Sequence, residues 1–381
     1  MRVYLDNAAT TPMAPEVIER MAEVMKDHYG NPSSIHSFGR EAKAVIEIAR
    51  REVAKRIQAE PREIIFTSGG TEADNMAITC AVRDLGVRRI ISSPIEHHAV
   101  GHSIAHIEKI CKDPITVEMV NLTKTGQVDM AHLEQLLQKG EKTIVSLMHA
   151  NNEIGTLLDI KIVSELCKKH GAYFHSDTVQ TMGHYKIDVK AIGADFITAA
   201  AHKFHGPKGV GFLYVNKKLN VSPLIQGGSQ ERGLRGGTEN LTGIAGLEEA
   251  FKLANDGIEA HIKQVQSIKD YMVEELKKRV PGVEFHGEMS ADKSLYTILN
   301  VCFPDFENKS MLLFLLDLDG VACSGGSACT SGADQGSHVL RGINANTNRP
   351  NVRFSFSRYT TKEEIDYALK AIEKIVVGAL V

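Results

Sequence analysis

The chain's chemistry can be organised around Lys203, in the stretch DFITAAAHKFHGPKGVGFLY (195–214). The apolar, β-branched run Phe196-Ile197-Thr198 predicts a buried strand and Val210–Val215 predicts the next, with Gly206, Pro207 and Gly209 forcing a turn between them. Lys203 is thereby held where a strand stops, on rigid backbone. A lysine so placed can lose its charge by desolvation and form a Schiff base with a carbonyl compound. Taken alone it reads as a surface lysine in a basic turn with Lys208, and the rest of the chain reverses that reading.

In open α/β sheets ligands bind beyond the carboxyl ends of the strands, so the residues that follow each predicted strand belong together. After Ile64-Ile65-Phe66 comes Thr67-Ser68-Gly69-Gly70-Thr71-Glu72, a glycine turn opening a helix. Backbone N–H groups near Gly70, with the Thr71 hydroxyl, make a cradle for phosphate. After Ile90-Ile91 comes Glu96-His97-His98, where His97 either lies flat against a cofactor ring or is a solvated histidine at a helix start. His98, His102 and His106 follow at i, i+4 and i+8; without an acidic or cysteine partner nearby they read as a solvated face rather than a metal site. After Thr143–Met148 comes Asn151-Asn152-Glu153, and after Ala172–His175 comes Ser176-Asp177-Thr178-Val179-Gln180. An aspartate at a strand end caps a helix, or it serves pyridoxal phosphate, whose pyridine nitrogen a carboxylate keeps protonated so that the ring draws in electrons. Lys203 and Asp177 thus read as one device.

These residues need a scaffold of alternating strands and helices, and the pattern supplies it. Short β-rich runs at Glu63–Thr67, Arg89–Ser92, Thr116–Val120, Thr143–Met148, Ala172–Ser176, Phe196–Ala199 and Val210–Val215 are separated mostly by helical segments. That is an α/β domain on a mostly parallel, seven-stranded sheet. Helical spacing marks two helices before it, from Pro15 to before Gly30 and from about Ser37 to Ala59, while residues 1–14 lack it and read as an extended arm. The repeat Ile258, Ile262, Val265, Ile268, Met272, Leu276 predicts a long amphipathic helix leading into a smaller α+β domain. Its strands are expected at Ser294–Cys302, Val321–Cys323 and Val352–Phe356, its helices near Ser310–Leu318 and Lys362–Val377. The expected division is 15–257 for the large domain, and 1–14 with 258–381 for the small one.

At 381 residues two domains are the natural expectation. The net charge of −3 is spread over interspersed acids and bases, with no block suited to nucleic acid or a membrane surface, so small-molecule chemistry is favoured. The opening MRVYLDNAAT has no apolar run of signal-peptide length, and a cytoplasmic protein is expected. Six cysteines (Cys80, Cys111, Cys167, Cys302, Cys323, Cys329) show no CxxC spacing, which argues against a zinc ribbon or dithiol site. Cys323 and Cys329 stand apart, because CSGGSACTSG gives a side chain little to bury itself against.

A family resemblance joins these pieces. The DNAATTP start, NPSSIHSFGREA (31–42), TSGGTEADN (67–75), EHHAV (96–100), HANNEIG (149–155), HSDTVQ (175–180), HKFHGPKGVG (202–211), LRGGTEN (234–240), SGGSACTSG (324–332) and VRFSFSRYTT (352–361) resemble the NifS/IscS-type cysteine desulfurases in the same order. The resemblance implies a fold type I pyridoxal phosphate enzyme of the class V aminotransferase group, a homodimer with its sites at the subunit interface. It implies that Lys203 forms the Schiff base, Asp177 meets the pyridine nitrogen, and His97 lies on the ring face. Asn152 and Gln180 match the polar edge of cofactor and substrate, Thr71 and His202 match phosphate contacts, and Thr238 matches a phosphate contact from the other subunit. Arg353 matches the anchor for the substrate carboxylate, a role suited to a planar, always charged fork. Cys329 matches the sulfur acceptor.

The implied reaction converts L-cysteine to L-alanine and leaves a persulfide on Cys329 for an acceptor protein, an iron–sulfur scaffold or a thiolation partner. Because a thiolate is the nucleophile, the glycines around Cys329 are expected to let it move. The chain departs from the family where Ala200 stands three residues before Lys203 in place of a usual phosphate-binding serine, where Ser357 replaces a usual glycine, and in its additional thiol Cys323. Selenocysteine lysis or amino transfer would use the same Lys203 and Asp177, though Cys329 argues against plain amino transfer. A catalytically silent cofactor-binding protein is the remaining alternative, opposed by Lys203, Asp177, Cys329 and Arg353 together.

Overall fold

The computed structural model describes residues 1–325 and 336–378. Strand β1 (Val3–Tyr4) is followed by helices Pro15–Asp27 and Ser37–Arg56 and then by β2 (Ile64–Thr67), β3 (Arg89–Ser92), β4 (Thr116–Met119), β5 (Thr143–Ser146), β6 (Tyr173–Asp177), β7 (Phe196–Ala200) and β8 (Gly211–Val215). The last seven form one sheet in the order β2-β8-β7-β6-β5-β3-β4. β8 runs antiparallel to both neighbours, and the remaining pairs are parallel.

The side chains explain why this sheet is covered on both faces. Phe66, Ile91, Val145, Phe174, Ile197 and Phe212 enter one apolar cluster, whereas their neighbours Ile65, Ile90, Ile144, Phe196 and Leu213 enter another. Successive residues of a strand point to opposite faces, so near-continuous apolar runs require helices on both sides. β8 reverses direction because only the turn Ala201–Val210 separates it from β7, too short for a parallel crossover. Glycine is needed as the chain enters β8, since a Cβ at Gly211 would lie 2.3 Å from the carbonyl oxygen of Ala199.

Helix Leu241–Asp256 ends at Gly257, and helix Ile258–Arg279 leads to β9 (Glu284–His286), β10 (Ile298–Cys302), β11 (Val321–Ala322) and β12 (Asn351–Ser355). These make an antiparallel sheet β12-β10-β9 and a parallel pair of β1 with β11. Val3 and Leu5 enter a separate apolar cluster with Met272, Leu276, Val301, Phe354, Ile365 and Leu369. The start of the chain is therefore stitched into its end: Leu5 N–H donates to Ala322 O, and Ser355 N–H donates to Leu5 O.

Several expected boundaries shift. The strand expected over Ser294–Cys302 begins only at Ile298, and the helix expected to reach Ala59 stops at Arg56. The last helix is α-helical over Lys362–Ile372 and closes with a π turn, Glu373–Val377.

Candidate active site

The carboxyl ends of β2, β3, β5, β6 and β7 face one cleft, whose wall includes Gly70, Thr71, His97, Asn152, Asp177, Gln180, Ala200, His202, Lys203 and Arg353. Nearly all the residues singled out by position after a strand are brought together there. Lys203 closes the 3₁₀ turn Ala201–Lys203 directly after β7. Its Nζ donates to the carbonyl oxygens of Ala8 at 2.6 Å and Ala9 at 2.9 Å, and its own carbonyl accepts from His184 Nε2 at 3.1 Å. The N-terminal segment is thus a wall of the cleft. Gln180 Nε2 donates to Ala8 O at 3.1 Å, and His202 Nδ1 lies 3.2 Å from Thr10 Oγ1.

Asp177 is the last residue of β6 and is buried. One carboxylate oxygen accepts from Val179 N–H at 2.8 Å. Burial, reinforced by the nearby Asp74 carboxylate, pushes its acid up to about 7, against the pull of Val179 N–H, His175 and Lys203. His97 caps helix His98–Ile110 by accepting from Ala99 N–H at 3.2 Å. Burial first, and then Lys203, lowers it to about 4, so its ring is neutral at physiological pH.

Helix Gly70–Arg83 opens directly after β2, and Ser68 N–H at its mouth is satisfied by Glu72 Oε2 at 2.8 Å. A Cβ on Gly70 would lie 2.7 Å from Val179 Cγ2 and 3.8 Å from Ala200 Cβ, which places Ala200 beside the mouth of the helix.

Arg353 enters from β12. Its Nη1 donates to Asn152 O at 2.8 Å and its Nη2 to Asp6 Oδ1 at 2.9 Å, while its buried Nε has no partner among the described residues. Asn152 Oδ1 is likewise buried without a partner. Thr238 lies elsewhere, in a cleft with Ser68, Gly209 and Asn240. Cys329 falls outside the described residues. Cys323, just before that segment, is pushed up to about 12, chiefly by burial, which disfavours its thiolate.

Sequence reasoning missed Asp6, Asp74 and the carbonyls of Ala8 and Ala9. Asp74 carried a local signal, since it lies three residues after Thr71 and so on the same helical face. Asp6 reads as a turn residue, and nothing local in the sequence places it against Arg353. Of His98, His102 and His106, read as a solvated face, His102 and His106 are exposed, but His98 is half-buried, stacking on His102 at 4.9 Å and packing against His338 at 4.4 Å.

The chain matches the aminotransferase class-V family over residues 3–368 and belongs to it. It is 44% identical to "Cysteine desulfurase IscS" of Dictyoglomus turgidum over 98% of this chain and 94% of the relative. It is 42% identical to "Putative cysteine desulfurase IscS 1" of Bacillus subtilis over 98% of both chains. Among solved structures it superposes on a "NifS-like protein" with a TM-score of 0.91, at 35% identity over 99% of this chain and 100% of the other.

Proposed function

We propose that this chain is a pyridoxal phosphate-dependent cysteine desulfurase that converts L-cysteine to L-alanine and carries the sulfur as a persulfide on Cys329. The observation that carries this reading is the meeting of a strand-end lysine, Lys203, and a buried strand-end carboxylate, Asp177, in one cleft. The residues present fit the cofactor. A glycine-started helix, a neutral imidazole and a buried carboxylate share the wall, and Asn152 Oδ1 and Arg353 Nε are buried and without partners among the described residues.

When bound, pyridoxal phosphate supplies an aldehyde for covalent attachment and a ring that draws electrons from the substrate's α-carbon. The chain's own groups do the rest. Lys203 holds the cofactor and takes the α-proton on Nζ. The Asp177 carboxylate would keep a proton at the ring nitrogen, His97 would hold the ring, and Gln180 and Asn152 would offer it polar groups. The helix mouth at Gly70 and Thr71, with His202, would hold the phosphate. Arg353, whose fork is fixed by Asn152 and Asp6, offers Nε to the substrate carboxylate. The Cys329 thiolate attacks the substrate sulfur: an S–S bond forms, the C–S bond breaks with its electrons left on carbon, and alanine is completed by one proton on that carbon and by return of the α-proton from Lys203 Nζ. The persulfide then passes to an acceptor protein of iron–sulfur or thiolation chemistry.

The position of Thr238, off the cleft of its own chain, supports a homodimer in which Thr238 serves the second copy's phosphate. Two large apolar clusters, mostly drawn from 15–257 and from 1–14 with 258–381, support that division, although Ala14 and Ala150 cross it and a smaller cluster joins Ile95 and Ile154 to Val339, Leu340 and Ile343. No described helix is long and apolar enough to cross a membrane, and a cytoplasmic setting remains part of this reading.

The test is to incubate the cofactor-loaded protein with L-cysteine and assay alanine and persulfide together, expecting equal amounts in the first turnover. Cys329→Ser should release alanine only at background, because a hydroxyl is a far poorer nucleophile towards sulfur. Cys323→Ser should keep most activity. A dead Cys323 variant beside an active Cys329 variant would reverse the two roles.

A further inference from the structure

Beneath the cleft lie two carboxylates where the cofactor chemistry requires one. Asp74, on helix Gly70–Arg83, is 1% exposed and lines the same wall as Asp177, which is 6% exposed. Functional atoms of Asp74, Asp177 and His97 all lie within 4.8 Å of one another. Two carboxylates so close and so dry do not both ionise readily; the pair retains a proton that neither would hold in water.

The surroundings differ for the two acids. Asp177 is steadied as an anion by Val179 N–H at 2.8 Å and faces Lys203. Among the described residues no backbone donor reaches Asp74; its side-chain partner is Thr198, which pulls it down against the larger effect of burial, and its Oδ1 has no hydrogen bond, with His175 Nε2 at 3.4 Å. Thr198 Oγ1 lies 3.2 Å from His175 Nε2, and His175 Nδ1 lies 2.8 Å from Ser146 Oγ. Every member of this chain both donates and accepts, so it can turn to accept from a protonated Asp74. The titratable groups around the pair are His175 from β6, Glu96 and His97 from the segment before helix His98–Ile110, and Lys203 from the turn after β7.

We propose that Asp74 is a positioning residue that holds the shared proton of this pair, leaving Asp177 as the single anion offered to the ring nitrogen. The proposal rests on the cofactor reading above. It gives the buried Ser146–His175–Thr198 chain a task, supporting a neutral Asp74.

The test compares wild type, Asp74→Asn and Asp177→Asn by equilibrium dialysis with pyridoxal phosphate at neutral pH and by infrared difference spectra of the loaded proteins. If Asp74 is the protonated member, asparagine preserves its neutral state: affinity should stay within about threefold of wild type, against a loss of roughly tenfold or more for Asp177→Asn. The Asp74→Asn spectrum should lack one carboxylic-acid carbonyl band that wild type shows, while Glu96 keeps its own. An unchanged acid band, or an affinity loss matching that of Asp177→Asn, overturns the proposal. Should Asp74→Asn fail to fold, holoenzyme Glu96→Gln must still show a carboxylic-acid band at neutral pH, and a spectrum of that variant without any acid band sinks the proposal. Wild type that binds no pyridoxal phosphate at all would instead refute the functional reading.

Discussion

Lys203 is held by its neighbours rather than left to solvent, and its replacement is correspondingly clear to read. Lys203→Ala should lose covalent capture of pyridoxal phosphate and slow alanine release by about 10²–10⁴-fold, the usual range for removing a proton-transfer group. Borohydride reduction and peptide mapping check it, and cofactor found on Lys208 would overturn the assignment. Ala200 stands three residues before Lys203, where the family resemblance leads one to expect a serine. It lines the cleft beside the helix mouth, so Ala200→Ser adds a donor where phosphate is expected. A hydrogen bond to a charged group is worth about 1.5–3 kcal/mol, which corresponds to roughly tenfold to hundredfold tighter binding. The α-carbon chemistry should change little. Equal affinity by equilibrium dialysis would mean that Thr71, His202 and the backbone donors already saturate the phosphate.

At the scale of elements, the mouth of helix Gly70–Arg83 is both a packing joint and a ligand cradle, and a Cβ separates the two demands. Gly70→Ala places that Cβ 2.7 Å from Val179 Cγ2, so helix or strand must shift. A loss of about 1–3 kcal/mol in unfolding free energy is expected from overpacking, together with weaker cofactor binding. Gly101, inside helix His98–Ile110, is the control: nothing lies within 4 Å of its would-be Cβ. Gly101→Ala should stabilise the protein by about 0.8–1.0 kcal/mol through helix propensity. Urea unfolding of the two variants distinguishes them, and a destabilised Gly101→Ala would show that backbone space alone does not decide. The elements themselves were legible because their patterns are local: apolar runs marked the seven strands of the large sheet, and glycine or proline marked their ends. Boundaries in the C-terminal part shifted because Ser294–Thr297 lies beside the strand rather than in its ladder, a matter of pairing and not of composition.

For the whole molecule, burial sets a characteristic pH response in the cofactor-free protein. Burial lowers His97, His149, His175, His184 and His202 to about 4 and His205 to about 3. The unfolded chain therefore binds more protons at these sites below about 6.5, and their contribution is lost as pH falls from there towards 4. Asp74 and Asp177 at about 7, and Glu96 at about 8, act in the opposite sense, since the folded chain keeps protons that the unfolded chain has released above about 4. Histidines outnumber these acids below about 6.5, and only the acids remain above it. Stability should rise from pH 4 to about 6.5 and decline from there to about 8; thermal unfolding midpoints across that range check it, and a steady fall from pH 4 to 6.5 would contradict it.

The sequence by itself determined the contents of the strand ends. Lys203 after Phe196–Ala200, Asp177 at the end of β6, and a glycine turn before Thr71 each follow from hydrophobic period and turn chemistry within a few residues. Tertiary structure alone decided which ends meet. The order β2-β8-β7-β6-β5-β3-β4 brings segments far apart in sequence to one cleft, and β3 enters between β5 and β4 out of sequence order. Arg353 reaches Asp6 across 347 residues, because β1 pairs with β11 and the arm beyond it runs beside β12. Asp74 faces Asp177 because its helix packs over β6 and β7. Such meetings depend on how two buried faces fit together, and that complementarity is a property of the packed chain that no local spacing encodes.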